Sequence, residues 1–394
     1  MLRLAFVLSA GLLAGLLAGP AGALIPCGGD FAGFIRQMKA EALAEGQPKA
    51  AVDAFFAGAA EDPAVLRADR AQGFFRKSFL EFSKALISRQ RVETGRLYAK
   101  RYAAVFARAG RDYGVPPGIL LAFWAFETDF GAVQGNFDTR NALVTLAHDC
   151  RRPQVFQPQV LAALTLFERG EFPLDTTGAW AGEIGQVQML PKDILEQGVD
   201  GDGDGKVRLK TSAPDALLSA AHMLQGFGWQ ANQPWMVEIR LPERFDWGQT
   251  GLATTLPVAQ WAAMGVRARQ GALPAGGLAA SVLLPQGRKG PAFLVFDNYR
   301  VLFHWNKSFV YVTTVAYFAT LMAGAPPYDA GNPDPALSAE AMMALQRKLE
   351  ARGYDVGKVD GILGSATREA VRKEQARLGL PADGWPTEAL LNRL

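Results

Sequence analysis

A mainly α chain of the α+β class follows from three features of the 394-residue sequence. Residues 29–113 carry apolar side chains at helical spacing, a short span between 280 and 321 mixes β-rich runs with a closing helix, and a small helical module ends the chain. An apolar content of 49% with 20% charged residues is ordinary for a globular protein, and the length allows two or three domains.

The first segment, MLRLAFVLSAGLLAGLLAGPAGA, has Arg3 near its start, an apolar core and the small-residue site Ala21-Gly22-Ala23. This pattern predicts a secretory signal peptide over residues 1–23, too short in its apolar run to be a membrane span. Beyond it the sequence has no apolar run long enough to cross a bilayer, so a soluble, exported, periplasmic protein is expected. Cys27 follows closely, but Pro26 stands where a lipoprotein signal carries a small residue, which argues against lipidation. Cys27 and Cys150 are the two cysteines, and an even count in an exported chain suggests one disulfide between them. Three scattered histidines and so few cysteines disfavour zinc, and there is no GxSxG or phosphate-binding glycine loop. A formal charge of +3 with no basic tract gives no case for nucleic acid as a partner.

The helical segments FAGFIRQMKAEALAEG and RLYAKRYAAVFARAGRDYG lead into GVPPGILLAFWAFETDFG, where Pro116 and Pro117 suit a helix start and Gly131 a stop. Residues 173–192 are rich in glycine and turn formers. A composition break dominated by Pro, Gly and Asp marks a linker over 323–336. Residues 337–394 then form a module with two related Asp-Gly turns, at Gly361 and Gly384, each leading into a Thr-bearing helix start. The expected organisation is thus a large domain at 24–322, the linker, and the small module.

Within FWAFETDFG, Glu127 sits among Trp124, Phe126 and Phe130. Apolar walls disfavour the charged carboxylate and keep its proton near neutral pH, which is what protonation of a leaving oxygen requires. Asp129, two residues on, falls on the opposite side of a helix and makes a poor partner. Glu183 in WAGEIGQ remains open as a second acid.

The ordered stretches YGVPPGILLAFWAFETDFG, NALVTLAHD, GAWAGEIGQVQMLP, DGDGDGKVRLKTSAPDALLSAAHML and NYRVLFHWNKSFVY resemble the lytic murein transglycosylases of the B family, over residues from about 30 to 322. Separately, the region LQRKLEARGYDVGKVDGILGSATREAVRKEQARLGLPADG resembles the peptidoglycan-binding domain often appended to cell-wall enzymes. The resemblance implies a lysozyme-like catalytic domain with a small β-containing subdomain, plus a small helical peptidoglycan-binding domain. It implies Glu127 as sole catalytic acid/base and peptidoglycan glycan strands as substrate, cut without water to leave 1,6-anhydromuramic ends. No catalytic cofactor is expected, and protein partners stay unspecified. By residue, the resemblance places Gln188 and the Trp305, Asn306, Ser308 and Tyr311 motif against the saccharide. Ala179 and Met189 depart from the family's Ser and Phe, which bears on saccharide contacts and leaves the acid untouched. A hydrolytic muramidase on the same fold and a catalytically silent wall-binding protein are the alternatives.

The run DGDGDGKVRL places Asp200, Asp202 and Asp204 at positions 1, 3 and 5 of an EF-hand-like loop, with Gly205 at 6 and the Lys206 carbonyl at 7. Position 12 is Thr211 instead of Glu, and the resemblance implies Asp215, four residues on, as the substitute ligand. Hard oxygen donors at that spacing suit a structural Ca²⁺.

Overall fold

The computed structural model describes residues 24–71 and 77–394; the expected signal peptide lies outside the described residues. The chain is mainly helical with small sheets, as the sequence predicts, and divides into two compact units, each built from two chain segments.

The first unit comprises residues up to 72 and 97–226. Its helices pack in pairs, Thr139–His148 on the next helix Pro153–Glu168, and Ala103–Tyr113 on the sequence-distant Ala213–Gly226. A two-stranded antiparallel ribbon pairs Phe137 with Gly178 and Asp138 with Thr177. At the centre lies Pro117–Thr128, buried at every position from Gly118 onward. A helix that is apolar all round has no solvent face to offer and belongs inside the core. Pro117 fills the first turn, where its missing N–H costs nothing. The disulfide expected from the cysteine count is present, with Cα atoms 5.2 Å apart. It ties the N-terminal segment beside His148, whose carbonyl accepts from the Gly28 amide at 2.8 Å, and Gln157 holds both the amide and carbonyl of Ile25.

The second unit comprises residues 73–96 and 227–394. Its antiparallel five-stranded sheet runs in the order Leu256–Pro257, Ala279–Leu283, Phe293–Val295, Met236–Arg240, Arg267–Ala268. Trp261, Val282, Leu294 and Phe296 form the core beside it. The helices Asp297–Trp305 and Phe309–Met322 follow.

The boundaries between compact units do not coincide with the sequence boundaries at 322 and 336, because the linker and the C-terminal module fall within the second unit. Residues 323–336 lack regular structure yet are pinned along their length. The Tyr328 ring packs 4.5 Å from that of Tyr317 and its hydroxyl meets Ser83 at 2.8 Å. Arg269 donates to the Pro327 carbonyl, Glu238 accepts from the Asp329 amide, and Lys289 pairs with Asp334 at 2.6 Å. Composition alone reads such a segment as a tether; these partners hold it in place.

In the module, Met342, Leu345, Leu349, Val371 and Leu390 form a small core. The two Asp-Gly turns are related as expected, and each is gripped by a glutamine from the preceding helix. Gln346 Oε1 accepts from the amides of Asp360 and Gly361, at 3.1 and 2.9 Å, and Gln375 Oε1 from Gly384 at 2.8 Å. Both turns are therefore interior, since the glutamine satisfies amides that would otherwise face solvent.

Candidate active site

The end of the Pro117–Thr128 helix presents the candidate acid. Glu127 is 7% exposed, and the helix stops one residue later. Asp129 and Phe130 both adopt left-handed backbone conformations, with φ of 52° and 60°, followed by Gly131 at 87°. The Phe130 amide reaches back to the Trp124 carbonyl at 2.9 Å and the Asp129 amide to Ala125 at 3.1 Å, the second being the bond of an αL-type stop. Such conformations at non-glycine residues are uncommon and persist where the surroundings over-determine them. The helix thus ends three residues before the glycine that the sequence suggests as its stop. Asp129 is separated from Glu127 by this exposed left-handed cap, not by the opposite face of a continuing helix.

A cluster of aromatic rings fixes this helix end. Tyr98 stacks on Trp124 with centroids 5.0 Å apart, and Tyr102 and Phe130 meet Trp124 edge-on. Trp124 Nε1–H donates to Gln186 Oε1 at 2.9 Å. Thr128 donates through Oγ1 to the Gln186 carbonyl at 2.5 Å and accepts from the Gly131 amide at 2.9 Å. Gln186 therefore joins the turn-rich segment 179–189 to the acid-bearing helix at two points. Sequence reasoning passed over it for Gln188, although both belong to GQVQMLP; a buried tryptophan in need of an acceptor was the available signal.

The segment 179–189 closes on itself. Ile184 and Met189 exchange amide-to-carbonyl bonds at 2.8 and 3.0 Å, and Gln186 N–H donates to the Leu209 carbonyl. Gly182 has φ of 86°, and a Cβ there would run into the Leu143 side chain, so no larger residue fits the turn. Gln188, also left-handed at φ 56°, turns its amide inward to the Gly185 carbonyl at 2.8 Å and the Gln134 carbonyl at 3.3 Å. Glu183 is buried in the same segment, and its carbonyl accepts from the Ala179 amide at 2.9 Å. Glu127, Glu183, Gln186 and Gln188 are thus all carried by the first unit.

Trp305, Asn306, Ser308 and Tyr311 belong to the second unit, where they build the junction between two helices. Asn306 Oδ1 accepts from the Ser308 amide at 2.8 Å, and Ser308 caps Phe309–Met322 by accepting from the Tyr311 amide. Trp305 and Tyr311 are 1% and 0% exposed, and a ring so enclosed has no face on which a sugar can stack.

The acidic loop gathers the carboxylates of Asp200, Asp202 and Asp204 within 4.8 Å of one another, a donor set suited to a hard cation. Backbone donors, the Gly205 amide foremost, hold the Asp200 carboxyl below the usual range. Asp215 is not part of that group. It is buried, and its oxygens accept from the Gly201 amide, Ser212 Oγ and the Arg208 amide, so it braces the loop from within. The Lys206 side chain donates to the Arg169 carbonyl, and the atom expected to face a cation is its backbone carbonyl.

Comparison with known proteins agrees with this architecture. A family model described as transglycosylase SLT domain matches residues 30–320, and a peptidoglycan binding domain model matches 338–394. SltB3 from Pseudomonas aeruginosa, solved in complex with NAG-anhNAM-pentapeptide, is similar at 38% identity and a TM-score of 0.85, covering 93% of this chain and 99% of that one. Membrane-bound lytic murein transglycosylase B of Escherichia coli is 27% identical over 274 residues, 65% of this chain and 74% of its own length. The E. coli lytic transglycosylase Slt35, solved in complex with calcium, is 25% identical with a TM-score of 0.62, over 78% of this chain and 98% of that one.

Proposed function

The chain belongs to the transglycosylase SLT-domain family, and from that membership we propose that this lytic transglycosylase of peptidoglycan uses Glu127 as its single general acid and base. The observation that carries the residue assignment is the burial of Glu127 two residues before a left-handed helix cap, on a helix end that also carries the Trp124 ring cluster. Protonated Glu127 gives its proton to the glycosidic oxygen as the bond between the MurNAc anomeric carbon and that oxygen breaks. The resulting carboxylate then accepts the proton of the muramic C6 hydroxyl while its oxygen bonds to the same carbon. The ring so formed is the 1,6-anhydro end, no water is consumed, and Glu127 ends protonated again. One carboxylate suffices because the nucleophile belongs to the substrate, where most glycosidases require two.

The substrate is a glycan strand bearing stem peptides, a reading supported by the NAG-NAM-pentapeptide and NAG-anhNAM-pentapeptide complexes of SltB3. Gln188 is assigned to saccharide contact, and Glu183 to holding its loop. A structural Ca²⁺ held by Asp200, Asp202 and Asp204 would stiffen the acidic loop, supported by the clustered carboxylates and by the calcium complex of Slt35. The periplasm is the proposed location, given the N-terminal signal and the disulfide. Among the described residues no helix is long and apolar enough to cross a membrane. Digestion of purified sacculi followed by mass analysis tests the reaction. Muropeptides ending in an anhydro sugar support it, products one water heavier move the enzyme to a muramidase, and no product leaves a wall-binding protein.

A further inference from the structure

A cavity of about 370 Å³ lies in the second unit, lined by the 251–253 turn, the end of the Ala279–Leu283 strand, Phe309 and the first turns of the Ser365–Arg377 helix. Arg368 and Arg372, one helical turn apart, both line it. They are 6% and 8% exposed, and the Nε of each lacks a hydrogen-bond partner. Arg368 makes no ion pair among the described residues. Its Nη groups donate to the carbonyls of Leu284 and Pro285, at 3.4 and 2.7 Å, and its guanidinium lies 4.3 Å from the Phe309 ring. Arg372 pairs with Glu369, itself a lining residue that is one-third exposed. The neighbouring Asp383 accepts from the Arg288 amide, the Gln375 side chain and the Trp385 amide, and its charge acts on both arginines without a direct ion pair to either among the described residues.

Further features mark the cavity as a place for an anion. Ser365 and Ala366 line it at the N-terminus of a 13-residue helix whose cap residue, Gly364, supplies no side-chain bond, so the positive end of the helix dipole faces the same space. Gly251, at φ 97°, leaves room for the Arg372 guanidinium, which a Cβ at that position would strike. Burying two guanidinium groups with unsatisfied donors is costly unless something pairs with them, and a planar carboxylate matches the guanidinium fork. Burial depresses the basicity of both groups, and the charges of Asp383 on both and of Glu369 on Arg372 offset it only in part.

We propose that this cavity is a binding site for a peptide carboxylate of the peptidoglycan stem, held by Arg368, Arg372 and the N-terminus of the Ser365–Arg377 helix. The site would grip the peptide part of the substrate within the second unit. Glu369 occupies Arg372 in the absence of ligand and is displaced by the incoming carboxylate. The proposal rests on the reading of peptidoglycan as substrate, but its test requires no bond cleavage.

The full-length chain labelled with ¹⁵N-arginine is titrated with NAG-anhNAM-pentapeptide, a product-type saccharide, and with the same compound amidated at its carboxylates. The Nε–H resonances are assigned through Arg368→Lys and Arg372→Lys. The expected result is a saturable shift of the Arg368 and Arg372 signals with the acid form and not with the amide. Ala253→Glu places a competing carboxylate at an exposed position on the cavity rim and should weaken binding roughly tenfold or more. Glu369→Gln removes the internal competitor and should tighten it. Neither change touches the core, so a null result cannot be ascribed to misfolding. Equal shifts with the amidated compound, no shift with either, indifference to both substitutions, or binding of inorganic phosphate with the saccharide excluded would each overturn the proposal.

Discussion

Replacing Gln186 by alanine removes the residue that couples the 179–189 segment to the acid-bearing helix. The Gln186 side chain is the acceptor for Trp124 Nε1–H at 2.9 Å, and both residues are buried. Leaving that donor unsatisfied costs about 1–3 kcal/mol. Backbone bonds from Gln186 to Thr128 and Leu209 do not depend on the side chain and should survive. For a unit of this size, about 2 kcal/mol corresponds to a fall in melting temperature of roughly 4–8 °C. A double-mutant cycle isolates the interaction: with Trp124→Phe the donor is already gone, so Gln186→Ala should then cost less, with a coupling of about 1–2 kcal/mol in thermal or urea unfolding. Muropeptide release should fall along with stability in Gln186→Ala, because the aromatic cluster sets the position of the turn that follows Glu127. Additive losses, within roughly 0.5 kcal/mol, would refute the claim that this bond holds the helix end.

The remaining structural predictions concern other parts of the chain. Chelator should lower the melting temperature of the wild type and leave Asp202→Ala unaffected, with a Ca²⁺ affinity in the roughly 10⁻⁴–10⁻³ M range expected of a loop with no bidentate Glu at position 12; equal behaviour of the two proteins in a chelator titration would exclude the site. Burial, reinforced by Glu196, pushes the Asp193 carboxyl up to about 6. The stability tied to its protonated form is therefore fully present below the unfolded value near 4 and is lost as pH rises through 6. Asp193→Asn should accordingly stabilise the protein by about 1–3 kcal/mol above pH 6, an advantage that vanishes below pH 4 in denaturant titrations, allowing for partial exposure. Truncation after residue 336 removes Arg368 from the Pro285 carbonyl and Trp385 from the Asp334 carbonyl, so it should lower the melting temperature of the second unit as well as sacculus retention; an unchanged melt would show that the module contributes no stability to its neighbours.

Much of this molecule was legible in the sequence because its signals are local. The buried acid announces itself by a carboxylate among aromatic residues, the helical class by apolar periodicity, and the acidic loop by Asp at alternate positions. What the sequence concealed depends on contacts between distant segments. The 323–336 stretch has the composition of a tether, and only Tyr328, Asp329 and Asp334 meeting partners up to 245 residues away reveal that it is fixed. The WNKSFVY motif combines residue types that suit sugar recognition, yet the same types suit a helix junction, with Asn and Ser as caps and Trp and Tyr as core. Asp215, which the resemblance implies as a ligand, is drawn inward by backbone amides that no sequence pattern exposes. Gln186 and Gln188 stand two residues apart in the same motif, and what distinguishes them is the tryptophan donor supplied from residue 124.

The most direct test of the account is the product spectrum of Glu127→Gln on purified sacculi, measured beside wild type, Asp129→Asn and Glu183→Gln. Glutamine keeps the shape of the side chain but can neither protonate the glycosidic oxygen nor take the proton from the C6 hydroxyl. Each transfer typically contributes about 10²–10⁴-fold, so with one residue serving both the loss should reach or pass the upper end of that range. Asp129→Asn, altering an exposed cap, should retain most activity, and Glu183→Gln should keep the chemistry if its carboxylate only supports the loop. The account predicts that Glu127→Gln remains folded, still sediments with sacculi and releases no anhydro-muropeptides above background. Release of those products at a near wild-type rate by the same variant would contradict it.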